Sequence, residues 1–200
     1  MKRKTIALMT AFTLVMSLSA CGGKTATTGN NSDAERIAEL EQELEELKAE
    51  QIQDDNETVN EAESLLKTTM ESPEASGVSG ANSMWYYKEG VLVITGTGEM
   101  TDFGWNVRTL NDPIIPNSPW YELEDKIGWV IIDKGVTRIG EAAFAECYMI
   151  SKIIIPDTVT SIGEHAFSGL GKNLETVIYG EQSYTFEEFE DMIEESGMED

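Results

Sequence analysis

The sequence predicts an α+β fold: a short solenoid of 23-residue repeats with an N-terminal β-hairpin cap and a C-terminal helix cap, preceded by a helical stalk. The main observation is that residues 132–144 return as residues 155–167, with the matched isoleucine, valine, glycine, alanine and phenylalanine positions 23 residues apart. A heptad pattern precedes the repeats, and a short amphipathic pattern follows them. A fixed period in the twenties is the signature of a solenoid with one strand and one turn or short helix per repeat.

Each repeat contains a strand and a segment that returns to the core. The β-branched run at residues 153–155 forms the strand, and Pro156 ends it. The valine, isoleucine and Ala-Phe pair that follow turn back inward, and Gly163 suits the tight bend before them. A single repeat cannot bury these groups, so stacked copies must share one core. A partial third copy lies at residues 174–179, shifted by one residue, and residues 92–94 start the stack.

The repeated motif Val-Thr-x-Ile-Gly-x-x-Ala-Phe, followed by Cys147 and by a strand that ends in Ile-Pro, resembles the BspA-like leucine-rich repeat of bacterial surface antigens. Residues 90–121 are similar to the N-terminal module often found ahead of such repeats. The resemblance covers roughly residues 85–180, with two full repeats and a fraction. It implies a non-enzymatic protein whose repeat domain binds a protein or host-surface ligand.

The first residues form a targeting segment. A basic start, Lys2-Arg3-Lys4, precedes an apolar run at residues 5–16 that is too short for a stable transmembrane helix. The following Leu-Ser-Ala-Cys21 resembles a bacterial lipobox. That resemblance implies that Cys21 is lipidated and that the protein is extracytoplasmic, anchored to the outer face of the cell membrane by several acyl chains. The alternative is a secretory signal cut after Ala20, with an incidental cysteine.

The remaining segments follow from composition and periodicity. Three prolines in residues 103–121 oppose regular structure, and Trp105 and Trp120 are expected to seal the N-terminal end of the repeats. The predicted boundaries are a lipoprotein signal peptide at 1–20, a flexible tether at 21–31, an acidic helical or coiled-coil stalk at 32–70, a linker at 71–83, an N-terminal β cap module at 84–126, the leucine-rich repeats at 127–180, and an acidic C-terminal capping helix and tail at 181–200.

The stalk carries a short heptad seam, so residues 33–50 would pair as a parallel homodimer. Two chains anchored in one membrane favour the parallel arrangement. The attractive pairs would be Arg36 with the partner's Glu41, and Glu43 with the partner's Lys48. Little more than two heptads are present, which favours a solitary acidic helix over this dimer. The seam consists of Ile37, Leu40, Leu44 and Leu47.

Charge is concentrated in the extensions. The net charge is −23, and residues 33–74 contain 15 acids against 3 bases, while residues 181–200 contain 9 acids and no base. Residues 75–180 have an ordinary balance of 13 acids and 7 bases. Nucleic acid and anionic lipid head groups are therefore poor partners for this chain.

No catalytic or metal-binding constellation is visible in the sequence. His165 is the only histidine and is expected on a surface turn. Cys147 is the only cysteine besides Cys21 and is expected to be a packed thiol. These two side chains cannot build a zinc site, and we expect no metal, no cofactor and no enzymatic activity.

The candidate binding surface is the sheet face turned away from the core. Register places one row across the sheet at Trp129, Lys152 and Thr176, and a second row at Ile131, Ile154 and Ile178. An exposed apolar ladder beside a tryptophan would mark an interaction site. The alternative is that the loop at 103–119 or the acidic segment folds over this face. A structural envelope spacer that oligomerises through the stalk is the alternative function.

Overall fold

The computed structural model describes residues 31–106, 115–170 and 172–199. They belong to two units, residues 1–56 and residues 57–200. Helix α1 (Asn31–Glu71) accounts for the described part of the first unit and for the first residues of the second. The acidic stretch at 32–70 is therefore helical throughout. The signal peptide, Cys21 and most of the tether lie outside the described residues.

A seven-stranded sheet forms the frame of residues 57–200. The connections between the strands carry most of the glycines of the described residues in this unit. The elements after α1 are β1 (Ala75–Val78), β2 (Ser83–Lys88), β3 (Val91–Gly96), β4 (Gly98–Glu99), β5 (Trp105–Asn106), β6 (Ile115–Pro116), a 3-10 helix (Tyr121–Leu123), β7 (Trp129–Ile132), β8 (Val136–Ile139), β9 (Lys152–Ile155), β10 (Ser161–Ile162), β11 (Thr176–Tyr179), β12 (Gln182–Tyr184) and helix α2 (Phe186–Ser196).

The strand order in the large sheet is β1-β2-β3-β7-β9-β11-β12. Strands β3, β7, β9 and β11 run parallel, whereas β1, β2 and β12 are antiparallel to their neighbours. Val130 lies opposite Ile153, and Ile153 lies opposite Val177. The first step along the sheet is therefore 23 residues and the second 24, which confirms the one-residue shift of the third copy.

The repeats are also in register after their first strands. Strand β10 pairs in parallel with β8, and Ser161 lies opposite Arg138, again 23 residues away. Strand β4 continues this ladder on the other side of β8. Strands β5 and β6 form a separate small hairpin. The chain therefore repeats a strand, a turn and a second, shorter strand.

Strand β1 lies where the sequence pattern predicts a linker at 71–83. Ala75 pairs with Tyr87 and Val78 with Met84, so β1 extends the sheet beyond the hairpin of β2 and β3. Ser76 and Gly77 have weak strand propensity. Hydrogen bonding to the neighbouring strand β2 overrides it, because strand formation depends on the partner strand more than on the residue.

A column of aromatic rings occupies the core between the sheet and the turns. Phe144 stacks on Phe167 with ring centroids 5.8 Å apart, and Trp120 stacks on Phe144 at 5.7 Å. Phe189 of α2 meets Phe167 edge-on at 5.9 Å. The two repeat phenylalanines therefore have an aromatic neighbour on each side, one from the segment before the repeats and one from the helix after them.

Trp120 is fully buried, and its indole N–H donates to the carbonyl oxygen of Ala143 at 2.8 Å. Trp105 does not join this cluster. It is half-buried, and its ring lies 6.4 Å from that of His165 in the second repeat, in an edge-to-face arrangement. The expectation that Trp105 seals the N-terminal end was wrong, because the small hairpin of β5 and β6 places this ring beside the repeat turns instead.

The repeat glycines are required by close backbone approach. A Cβ on Gly163 would collide with the backbone of Glu141, and one on Gly140 would collide with the carbonyl of Thr101. Neither glycine has a positive φ, and each begins a turn: the Gly163 carbonyl oxygen accepts from the Ala166 N–H at 3.1 Å, in keeping with the predicted bend. The left-handed positions of the turns are instead Ala142, Glu146 and their equivalents 23 residues later, His165 and Gly169.

Helix α2 follows the predicted boundaries. Its first turn carries a capping box in which the Thr185 side chain accepts from the Glu188 N–H and the Glu188 carboxylate accepts from the Thr185 N–H. Gly197 ends the helix in the left-handed conformation. Phe189 and Ile193 are its buried residues and join the core beside the third repeat strand.

Candidate interaction surface

The face of the large sheet opposite the aromatic column, called the outer face below, carries both predicted rows in the expected register. Trp129 lies opposite Lys152, and Lys152 opposite Thr176. Ile131, Ile154 and Ile178 form the next row in the same manner. The six predicted side chains are therefore brought together on one face by strands β7, β9 and β11.

The last turns of α1 cover part of the outer face. Ala62 is 3% exposed and packs in one cluster with Val91, Val93 and Ile131. Leu65 and Leu66 pack against the same cluster. The spacing of these helix residues, together with buried Thr69, follows the i, i+3, i+4, i+7 pattern of an amphipathic helix. Of the alternatives for this face, covering by the acidic segment is the arrangement that the structure has.

The two predicted rows consequently differ in access. Ile131 and Ile178 are buried, with 3% and 1% of their surface exposed, and Ile154 is half-buried against the helix cluster. These isoleucines serve packing. The row Trp129, Lys152 and Thr176 is partly exposed, although Trp129 also packs against the helix cluster, so a second molecule can reach only part of this row.

Lys152 and Trp129 form a cation–π pair at the accessible row. The Lys152 ammonium nitrogen lies 4.2 Å from the centroid of the Trp129 ring. Such a contact is worth about 0.5–1 kcal/mol at an exposed site and more when a partner excludes water from it. The pair puts an indole ring and one positive charge side by side in this row.

Two exposed apolar side chains that the sequence pattern did not single out lie just before β9. Tyr148 and Met149 are each 43% exposed, and Asn173 donates a hydrogen bond to the Tyr148 carbonyl at 3.0 Å. They occupy the connection that enters β9 at Lys152, at the same end of the parallel strands as Trp129. Their signal in the sequence is weak: two large apolar residues stand where the second repeat has Gly171 and Lys172.

The residues considered for chemistry have structural roles. Cys147 is buried, as expected, and its burial, with smaller contributions from the charges of Glu124 and Glu146, raises the pKa of the thiol to about 12. A thiol that stays protonated is neither a nucleophile nor a metal ligand. His165 is exposed on its turn, as predicted, and its Nε2 lies 3.3 Å from Glu164. Within the described ranges no group of three potential metal ligands is present.

Comparison with known proteins supports the repeat assignment. Residues 114–191 match the model of the BspA type leucine-rich repeat region (6 copies). The leucine-rich-repeat prediction is confirmed. The chain is also 34% identical to a leucine-rich repeat protein from Eubacterium ventriosum of known crystal structure, with a TM-score of 0.42. That match covers 52% of this chain and 26% of the Eubacterium protein, so this chain spans about a quarter of its length.

No curated protein matches the chain. Leucine-rich-repeat domains in general bind other proteins, and the BspA type is typically a non-enzymatic, surface-associated binding repeat. In the part of the chain that the structure describes, no helix is both long enough and apolar enough to cross a membrane.

Proposed function

We propose that this protein is a lipid-anchored, non-enzymatic surface protein that binds another protein or a host-surface ligand through the accessible part of its outer face. The contact surface consists of Trp129, Lys152 and Thr176 with the adjacent Tyr148 and Met149. The observation that carries the proposal is the partly exposed Trp129–Lys152 pair, together with two exposed side chains four and three residues before Lys152. Aromatic residues and methionine are enriched in protein interfaces, and tryptophan and tyrosine dominate their energetics.

The hairpin of β2 and β3 and helix α2 would close the two ends of the repeat stack and leave the outer face as the functional surface. On the same face, Ile131 and Ile154 pack with the last turns of α1, which cover the neighbouring part of the sheet. The accessible row is small. The partner would therefore contact the first residues of strands β7, β9 and β11 together with the loop at Tyr148.

The test is a pull-down from envelope and host-matrix extracts with residues 21–200 carrying Cys21→Ser as bait. We expect Tyr148→Ala/Met149→Ala, and separately Lys152→Glu, to lose a partner that the parent chain retains. Ile52→Ala is the matched control, because Ile52 is 61% exposed but lies in the other unit. Equal capture by all four proteins would contradict the proposed surface, provided that the variants have unchanged thermal unfolding.

The proposed anchor is Cys21, which the lipobox-like sequence supports. Multiple acyl chains on one residue hold a protein on a bilayer stably, whereas one chain binds only marginally. We expect the full chain to fractionate with membranes and to carry acyl chains on Cys21 by mass spectrometry. Cys21→Ser should move it to the soluble fraction, and membrane association that survives this substitution would contradict the anchor.

A second candidate function is a structural spacer that forms a parallel homodimer through residues 33–50. It is favoured by the seam of the first unit, in which Ile37 is 39% exposed and Leu40, Leu44 and Leu47 are partly exposed on an acidic helix. Sedimentation of residues 21–200 with Cys21→Ser should then show a monomer–dimer equilibrium that Leu44→Glu abolishes. A concentration-independent monomer would leave the helix as a solitary stalk.

A further inference from the structure

We propose that strand β1 is a second docking site, which takes a short extended peptide with a basic end by adding a strand to the large sheet. This surface is distinct from the accessible row of the outer face and does not depend on the function proposed for it. It follows from the backbone of residues 75–78, from the side chains beside them and from the charge at one end of the strand.

The outward edge of β1 presents unused backbone groups. In an antiparallel pair, alternate residues direct their N–H and C=O towards the partner strand. Ser79 donates its N–H to Ser83 at 3.0 Å, so the alternation turns Gly77 and Ala75 towards β2 and turns Ser76 and Val78 away from it. Among residues 31–106, 115–170 and 172–199, β2 is the only strand paired with β1.

The edge is short and follows Pro73 and Glu74, but the strand itself lacks several features that protect a terminal strand. It contains no charged residue, no proline and no bulge between Ala75 and Val78. Ser76 is small and exposed, so another backbone can approach closely. Position 77 requires glycine, because a Cβ there would lie 2.7 Å from the indole nitrogen of Trp85.

Exposed apolar side chains accompany this edge. Val78 is 65% exposed, and Met84, its partner on β2, is 36% exposed. Both lie on the outer face, at the end of β1 opposite to Glu74. Strand addition draws affinity from main-chain hydrogen bonds and specificity from alternate side chains, and this pair offers a contact for one apolar peptide side chain.

The charge around β1 determines the kind of peptide. Glu71 and Glu74 are exposed just before the strand, and Glu89 lies beside Glu74, whose carboxylate accepts the Glu89 N–H at 3.4 Å. The nearby Lys88 donates to the Ser72 hydroxyl at 2.7 Å. An antiparallel peptide would lay its C-terminal end along these carboxylates, so lysine or arginine at that end gains Coulomb attraction. A second copy of this acidic chain would not supply that charge.

The probe is acetyl-Thr-Val-Thr-Val-Thr-Lys-Lys-amide, titrated into 15N-labelled residues 21–200 carrying Cys21→Ser. We expect the largest amide shifts at Ser76 and Val78, with binding that weakens as salt increases. Replacing both peptide lysines by glutamate should weaken binding by about tenfold or more, since repulsion replaces attraction. Tyr148→Ala/Met149→Ala should leave the titration unchanged, which separates this site from the proposed partner surface.

Ser76→Pro is the decisive variant, and Ser76→Ala is its matched control. Proline removes the outward N–H without touching the hydrogen bonds to β2, a position that edge strands tolerate. We expect Ser76→Pro to weaken peptide binding by about tenfold, the equivalent of one to two lost hydrogen bonds, and Ser76→Ala by less than about twofold. Equal binding by both variants, or shifts elsewhere on the protein, would overturn the proposal. Self-association that Ser76→Pro abolishes would assign the edge to a second copy instead.

Discussion

The aromatic column is the residue-scale feature that determines how the repeats stack. Phe144 and Phe167 hold equivalent positions and overlap ring on ring, so each repeat packs on the previous one through the same side chain. Trp120 extends the column by one ring and adds a buried hydrogen bond to Ala143. A buried aromatic ring with a satisfied polar group combines large apolar burial with a fixed orientation.

We expect Trp120→Phe to lower the free energy of unfolding by about 2–4 kcal/mol, because it removes buried volume and leaves the Ala143 carbonyl without its donor. The measurement is urea unfolding followed by circular dichroism. Trp105→Phe is the control, since that ring is half-buried and outside the core, and it should cost less than about 0.5 kcal/mol. If the two variants lost similar amounts of unfolding free energy, the burial and the hydrogen bond of Trp120 would not contribute more to stability than the half-buried ring of Trp105.

Asp102 links the segment before the repeats to the first repeat. Its carboxylate accepts from the backbone N–H of Glu141 at 2.8 Å and from Arg138 at 2.6 Å. These contacts, the hydrogen bond from Glu141 first, lower the pKa of Asp102 below its ordinary value. A lowered pKa means that the folded state favours the charged form, so this stabilisation is present at neutral pH and is lost on acidification.

We therefore expect Asp102→Asn to destabilise the protein at pH 7 by at most about 1 kcal/mol, because the Asp102 side chain is half-exposed and solvent screens the pair. The difference from the parent chain should shrink as the pH falls below about 4 and the parent carboxylate takes up a proton. Thermal unfolding at a series of pH values measures it. A difference that is constant from pH 7 to pH 3 would mean that the carboxylate charge contributes nothing.

At the scale of elements, α1 carries two apolar stripes with different uses. The first lies at Ile37, Leu40, Leu44 and Leu47 and is only partly covered, whereas the second, at Ala62, Leu65, Leu66 and Thr69, packs on the outer face of the sheet. Tertiary packing of an amphipathic face supplies most of the stability of a helix in a protein. Docking on the sheet therefore fixes the last turns of α1.

We expect Ala62→Asp to detach these turns from the sheet, because it places a carboxylate among Val91, Val93 and Ile131 without a partner. The melting temperature should fall, and trypsin should cleave after Lys67 faster than in the parent chain. Ala49→Asp is the matched control, since Ala49 is exposed in the same helix and bears the same change in helix propensity. Unchanged cleavage after Lys67 in the Ala62→Asp chain would contradict the contact.

The sequence predicted the regular elements because each leaves a local, repeated signal. The strands at β7, β9 and β11, their register and helix α2 with its capping box follow from spacing and residue type. Which part of the outer face is exposed to solvent could not be predicted in the same way. The sequence has only a weak helical stripe in this segment, at Val59, Ala62, Leu65 and Leu66. The local sequence does not indicate which apolar surface this stripe packs against. Strand β1 was missed for a related reason, since its pairing with β2 outweighs the Ser-Gly composition.

At the scale of the whole molecule, the chain separates into a unit at residues 1–56 and a unit at residues 57–200. Residues 31–56 of the first unit contain 10 acids and 2 bases, whereas the aromatic column and the sheet lie in the second unit. Helical turns without a packed partner open easily, while turns docked on a sheet open only when the contact breaks. The two parts of α1 should therefore differ in local stability, although they form one continuous helix.

Limited proteolysis tests this difference with two sites in the same helix. Lys48 lies in the first unit, and Lys67 lies among the turns that dock on the sheet. We expect trypsin to cleave after Lys48 well before Lys67, because cleavage requires local opening and only the second site is held by the sheet. The fragment that begins at residue 49 should unfold within a few degrees of the intact chain, since the core lies beyond the cut. Equal cleavage rates at the two lysines would mean that α1 opens as a single unit and that its contact with Val91, Val93 and Ile131 adds no local stability.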